Sequence, residues 1–401
     1  FYDRRNAFLF ELSPIGGIYD AYVTNERSPG NTDYNPVWQR QAGRFDKGWI
    51  AEMAIPFRAL RYRPGASQVW GVNIRRTVRW KNEESFIQKV QPTQGSVIFQ
   101  ISLGGTLVGI DAPTGSRKLD LKPYAIAGVS SDLRANPPVH DNVTRDVGFD
   151  VKYGLTQNLT ADFTYNTDFA QVEVDEQQVN LTRFPLFFPE KREFFLEGAG
   201  IFDFGGASST AGGGGGGLTP LLFFSRRIGL NQGAAVPIDV GGRLTGKVGD
   251  VTLAMIDVQA AETSRTPATN FSVMRLRRDI LRRSNVGLLY AGRTHGVGSA
   301  DATRTFGADA SFGLYANWTI NTYVAKTQTP GVTTDAHSYR AQVNYNGDRY
   351  GLQAEHLVVG DNFNPEVGFL RRDNFARQFA QLRFSPRPRR SRRVRKYSYS
   401  G

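Results

Sequence analysis

Between Asp168 and Glu197 the chain sets acids and bases close together: Asp168, Glu173, Asp175 and Glu176, then Arg183, Lys191 and Arg192, then Glu193 and Glu197. Two chemistries suit that pattern. A pair of carboxylates can cleave a glycosidic bond, one as acid and the other as base or nucleophile. Alternatively, the acids and bases pair with one another in a confined interior, because a buried charge is costly unless it is paired. The near balance of signs favours ion pairing. Calcium is the one cation the stretch could take, since DFAQVEVDE is rich in hard carboxylate oxygens, but the spacing matches no EF-hand loop. The expectation is therefore no cofactor and no metal. Phe184, Phe187, Phe188, Phe194 and Phe195 thread the same stretch and are expected to pack it.

A second group lies in the first hundred residues. Saccharide sites stack sugar rings on aromatic faces and hold hydroxyls with a few polar groups. Trp38 and Trp80 sit among polar residues and suit stacking, with Arg76, Glu83 and Glu84 as a polar rim near Trp80. Trp49 and Trp70 fall on the apolar side of an alternating pattern and are expected in a core. The alternative for the rim is a solvated strand edge with surface ion pairs, which contribute little.

The elements around both groups have a period of two. Leu159, Ala161, Phe163 and Tyr165 alternate with Thr160, Asp162, Thr164 and Asn166. Val147 to Tyr153, Phe306 to Phe312, Tyr339 to Tyr345 and Tyr350 to His356 repeat the pattern, and Asn346-Gly347 reads as a hairpin turn. Earlier, Trp49, Ala51, Met53 and Ile55 alternate up to Pro56, which cannot donate to a ladder. The predicted class is all-β, with almost no helix after residue 120.

Residues 1–110 read as an antiparallel sandwich, 111–123 as a polar, turn-rich linker, and 124–401 as roughly a dozen strands interrupted by an insert at 166–217. The six glycines Gly212 to Gly217 suit a flexible loop tip. The opening FYDRRNAFLFEL is already strand-like and the last residues are not, so both ends read as truncated.

The chain has 401 residues and no cysteine, which excludes disulfides and thiolate metal sites. Its four histidines are scattered, which argues against zinc. No apolar run approaches the ~20 residues of a membrane helix. The mean hydropathy is −0.38, yet a membrane barrel escapes that test because its lipid-facing residues alternate with lumen-facing ones. The net charge of +12 is partly local: arginines crowd 387–396. That cluster is expected to be a loop or periplasmic turn, not a nucleic-acid contact.

Two segments resemble known families. Gly48 to Ser85, GWIAEMAIPFRALRYRPGASQVWGVNIRRTVRWKNEES, is similar to the second half of a family 9 carbohydrate-binding-module-like domain, and DRRNAFLFELSPIGGIYDA fits its middle. NTDFAQVEVDEQQVNLTRFPLFFPEKREFFLEGAGIFDFG, followed by LLFFSRRIGL and GGRLTGKVG, resembles a bacterial outer-membrane barrel family of unknown function that carries such a domain in front. The resemblance implies a partial β-sandwich followed by an antiparallel transmembrane β-barrel with a plug-like insert. It implies the outer membrane of a Gram-negative bacterium, with glycan or polysaccharide bound at the cell surface and with membrane lipid and lipopolysaccharide as neighbours. A glycoside hydrolase, or an assembly barrel with a protein-binding front domain, are the alternatives.

Overall fold

The computed structural model describes residues 6–23, 26, 36–60, 62, 65–88, 97–113, 119–132, 139–156, 158–167, 180–181, 183–188, 190, 192–196, 198–207, 217–231, 234–263, 266–281, 283–295, 301–315, 317–388, 394 and 396–401. Alternating residues dominate and strands follow. In the front region, β1 (Ala7–Leu12) pairs with β2 (Ile18–Val23), and β3 (Gln39–Phe45) with β4 (Gly48–Ala54). β5 (Gly65–Val72) pairs with β8 (Gly105–Ala112), enclosing the hairpin of β6 (Arg75–Val78) and β7 (Glu83–Phe86). The described residues here pair as four two-stranded antiparallel sheets rather than as two broad ones.

Among the described residues after the front region, the main element is a 13-stranded antiparallel sheet. Its first strands are β9 (Leu119–Asp132), β10 (Val139–Thr156) and β11 (Leu159–Tyr165). β9 thus begins inside the stretch read as a linker. The insert follows, with a single-turn helix α1 (Glu193–Leu196) and a short pair, β12 (Leu230–Asn231) and β13 (Ala234–Ala235). The sheet resumes with β14 (Ile238–Val248), β15 (Val251–Ala260), β16 (Thr269–Ile280), β17 (Ser284–His295), β18 (Thr303–Leu314) and β19 (Trp318–Gln328). It continues through β20 (His337–Asn346), β21 (Tyr350–Val359), β22 (Phe375–Phe384) and β23 (Tyr399–Ser400). Each strand pairs with the next along the sheet, β11 joining β14 directly. The serine/tyrosine tail, which does not read as a closing strand, pairs with β22 over two residues as β23, with Phe384 opposite Tyr399. No described helix is long and apolar enough to cross a membrane, which says nothing of strands.

Register carries the alternation across the whole sheet. Asp162 pairs with Arg243, Arg243 with Ile256, Ile256 with Val273 and Val273 with Ala291. All these side chains share one face, because opposed residues in a ladder point the same way. Farther along, that face carries Asp309, Tyr323, Arg340 and Leu357. The opposite face carries Met255 beside Met274, Leu288 beside Ala308, and Val343 beside Ala354.

The core lies between the first face and the insert. Phe194, Phe195, Ile201, Phe202, Phe204, Leu222, Phe223 and Ile228 pack with Ala254, Val258, Phe271, Leu289, Tyr323 and Leu357. A flat sheet would put β14 and β21 ~34 Å apart, whereas the part of the insert that packs in the core, Phe194 to Ile228, would be only about 22 Å across as a compact segment of roughly 35 residues. One insert reaches strands from β14 to β21, so the sheet curves around it.

Candidate functional site

Three arginines on the inner face hold the insert, and each is set by its strand's period of two. Arg243 on β14 donates Nε–H to Asp162 Oδ2 at 3.1 Å and Nη1–H to the Phe194 carbonyl at 2.5 Å. Arg275 on β16 grips Asp309 with two parallel bonds of 2.6 and 2.8 Å. Arg340 on β20 donates to Glu355 at 3.0 and 2.5 Å and to the Gly205 carbonyl at 3.0 Å. Gln342 and Arg377 also donate to Glu355. Such charge-assisted, forked bonds are the strong ones.

Two of these pairs meet at a single turn of the insert. Phe204 and Ala207 bridge, leaving Gly205-Gly206 at the tip. The Gly205 N–H donates to Asp309 at 3.0 Å while its carbonyl accepts from Arg340. Gly205 has φ +59°, and a Cβ there would lie 2.3 Å from Tyr323 Cδ1. Across the contact, a Cβ on Gly307 would lie 2.5 Å from Phe204 Cζ. Glycine on both sides lets the turn seat against the wall.

Within the insert, Arg192 is 2% exposed. It donates Nε–H and Nη2–H to the two Glu190 oxygens at 2.9 and 2.7 Å, and reaches the Ile228 and Ser225 carbonyls at 2.7 and 2.8 Å. Its guanidinium also lies over Phe195, 4.3 Å from the centroid. Burial alone raises the Glu190 carboxyl; the charge and hydrogen bonds of Arg192 outweigh it and hold that carboxyl below its usual range.

The acids singled out from the sequence fall differently. Asp168, Glu173, Asp175, Glu176, Lys191 and Glu197 lie outside the described residues, and with the first four goes the calcium reading of DFAQVEVDE; the side chain of Glu193 lies outside them too. Most of the glycine run, 212–216, lies outside as well. Arg183 is exposed, beside Phe184. Among the described residues no cluster of three metal-ligating side chains occurs. Four described interior carboxylates, Asp162, Glu190, Asp309 and Glu355, are each engaged by arginine. Sequence reasoning missed these four and the wall arginines, although the alternation that puts Met255 and Leu288 on one face puts Arg243 and Arg275 on the other.

In the front region the tryptophans split unexpectedly. Trp38 is 6% exposed, donates Nε1–H to Asp20 at 3.1 Å and meets Phe10 edge-on. The reading of it as an open platform is corrected: with Phe10 against it and its N–H committed, its role is packing. Trp49, assigned to the core, is 38% exposed and lies under Arg76, whose guanidinium is 5.8 Å from the ring. Trp70 packs with Phe57 and Tyr62. Trp80, at the tip of the β6–β7 hairpin, is 84% exposed, with Lys81 Nζ 4.8 Å from its centroid. Glu84 pairs with Arg75 at 3.3 Å, and Glu83 accepts from Ser85 at 3.3 Å. The hairpin therefore brings Trp80 and Arg76 onto one element near Trp49.

Residues 115–240 match a domain of unknown function, DUF5916. The match runs from just before β9 into β14 and contains the whole insert. It covers less than a third of the chain. No curated protein matches the sequence.

Proposed function

We propose that the chain is an outer-membrane protein of a Gram-negative bacterium, its curved sheet forming the wall of a barrel around the insert, and its front region a saccharide-binding module. The observation that carries this is the inverted alternation. Met255, Leu288, Phe306, Val324 and Leu382 are exposed on the outer face, while Arg243, Arg275 and Arg340 are buried on the inner one. In water each Å² of apolar surface left uncovered forgoes roughly 25 cal/mol; in hydrocarbon that face is at home.

Three further features support the reading. β14 to β22 are 10 to 12 residues long, close to the ~9–11 that a tilted membrane strand needs. Outward rings gather near one rim: Trp318 lies 4.9 Å from Tyr345, Tyr350 lies 5.4 Å from Phe384, and Phe384 lies 6.4 Å from Tyr399. Such a girdle suits the lipid headgroup level. An apolar groove of about 550 Å³, lined by Met274, Leu288, Phe306 and Val324, fits an acyl chain. A barrel wall suits the same physics, because an open strand edge in lipid leaves its N–H and C=O groups unpaired.

The saccharide reading rests on Trp80, an open aromatic face on a cationic hairpin. The test is to isolate the full chain from membranes, float it with outer-membrane lipid vesicles, and titrate it with a panel of oligosaccharides. Flotation and heat-dependent gel mobility are expected. A protein that stays monomeric in buffer without detergent sinks the membrane reading; absence of any saccharide binding sinks the module.

A further inference from the structure

The two rims of the 13-stranded sheet differ. At one rim, five connections have two or three residues: 157–158, 249–250, 281–283, 315–317 and 347–349. The sixth there is 385–398, which is pinned to the rim by Arg387 and Lys396 on Asp348. At the other rim the connections are longer: 133–138, 261–268, 296–302, 329–336 and 360–374. The insert also leaves and rejoins the sheet there, between β11 and β14. Membrane barrels keep short turns on the periplasmic side and longer loops outside.

The front region is tied to the short-turn rim by two independent observations. β9 starts there, with Leu119 opposite Tyr153 near the 157–158 turn. The Glu26 carboxylate lies 3.8 Å from the Arg283 guanidinium, in the 281–283 turn, and also accepts from the Ser102 N–H at 2.6 Å. Arg283 in turn donates to the Tyr315 carbonyl of the next short turn, at 3.1 Å.

We infer that the front region hangs on the periplasmic side, so that the Trp80 hairpin meets its ligand there and not at the cell surface, where the sequence resemblance puts it. This rests on the outer-membrane reading. Its consequence is that any saccharide bound by the hairpin is one present beneath the membrane.

The absence of native cysteine makes the test clean. Lys47→Cys marks the front region, Asp250→Cys a short turn and Thr333→Cys a long loop, each at an exposed position. Each variant of the full chain is exported in a Gram-negative host and treated with a membrane-impermeant maleimide. Thr333→Cys is expected to label in intact cells, and Lys47→Cys and Asp250→Cys only after the outer membrane is permeabilised. With the protein in the membrane fraction, labelling of Lys47→Cys in intact cells overturns the inference, whatever Asp250→Cys does. If all three label alike and the protein fractionates away from membranes, the outer-membrane reading has failed instead.

Discussion

The insert–wall contacts and the Trp80 hairpin are both rich in cations and aromatic rings, and they differ in completion. Arg192, Arg275 and Arg340 each end in a carboxylate and, directly or through it, in a backbone group. Trp80 ends in solvent beside Lys81. A polar network whose partners are all internal holds a structure together and leaves little for a ligand. An aromatic ring left mostly in solvent is where added binding energy can appear. By that criterion the interior is architecture and the hairpin is the place to look for recognition.

The sharpest way to break this contrast is Arg192→Ala, which leaves Glu190 buried without its cation. We expect a loss of about 3–5 kcal/mol, read by denaturant titration in detergent. Arg183→Ala, on the exposed part of the same insert, is the control and is expected to stay within about 0.5 kcal/mol. A silent Arg192→Ala would mean the interior is not the structural element. Trp38→Ala should remove a comparable amount, about 3–5 kcal/mol, from the front region, as loss of a packed indole does. Were Trp38→Ala instead to spare the fold and abolish saccharide binding, the contrast between the tryptophans would collapse. Gly205→Ala comes next, at roughly 1–3 kcal/mol, from a left-handed backbone and a clash with Tyr323; full stability in that variant would show that the turn is not seated as described.

Acid sensitivity tests the same network more gently. The Glu190 carboxyl is held below its ordinary value of 4.5. The unfolded chain therefore takes up that proton at higher pH than the folded one. The contribution to stability is complete above the unfolded value and is lost as pH falls through the folded one. Glu190→Gln should flatten that segment of a melting-temperature profile; an unchanged slope would exclude Glu190 as its source. The smallest effect on stability belongs to Trp80→Ala, within about 0.5 kcal/mol, while saccharide affinity falls roughly tenfold. Unaltered affinity would move the site off the hairpin.

Much of the sheet was legible because alternation is a local signal. Leu159 to Tyr165 and Tyr339 to Tyr345 announce their faces, and the register only has to line them up. Curvature was not legible, since it depends on what the insert touches. The wall arginines were partly legible: Arg243, Arg275 and Arg340 stand at wet-face positions, but their carboxylate partners lie one or two strands away, a distance sequence spacing does not encode. Arg192 was singled out, whereas its partner Glu190, two residues back, was passed over in favour of acids nearer the start of the insert. The tryptophans misled because neighbouring polar residues say little about burial: Asp20, polar itself, is what secures Trp38.

The Gly205 turn is held through its main chain, by a donor and an acceptor that no side-chain substitution elsewhere in the insert removes. This mooring therefore depends on backbone shape at one point, whereas the rest of the insert is held by its side chains, Arg192 and the buried phenylalanines among them. Release would mean giving up the bonds to Asp309 and Arg340 together, since the two peptide groups flanking one residue, Gly205, make them. Any opening of the interior at this place would be abrupt rather than gradual, like a latch and unlike a hinge.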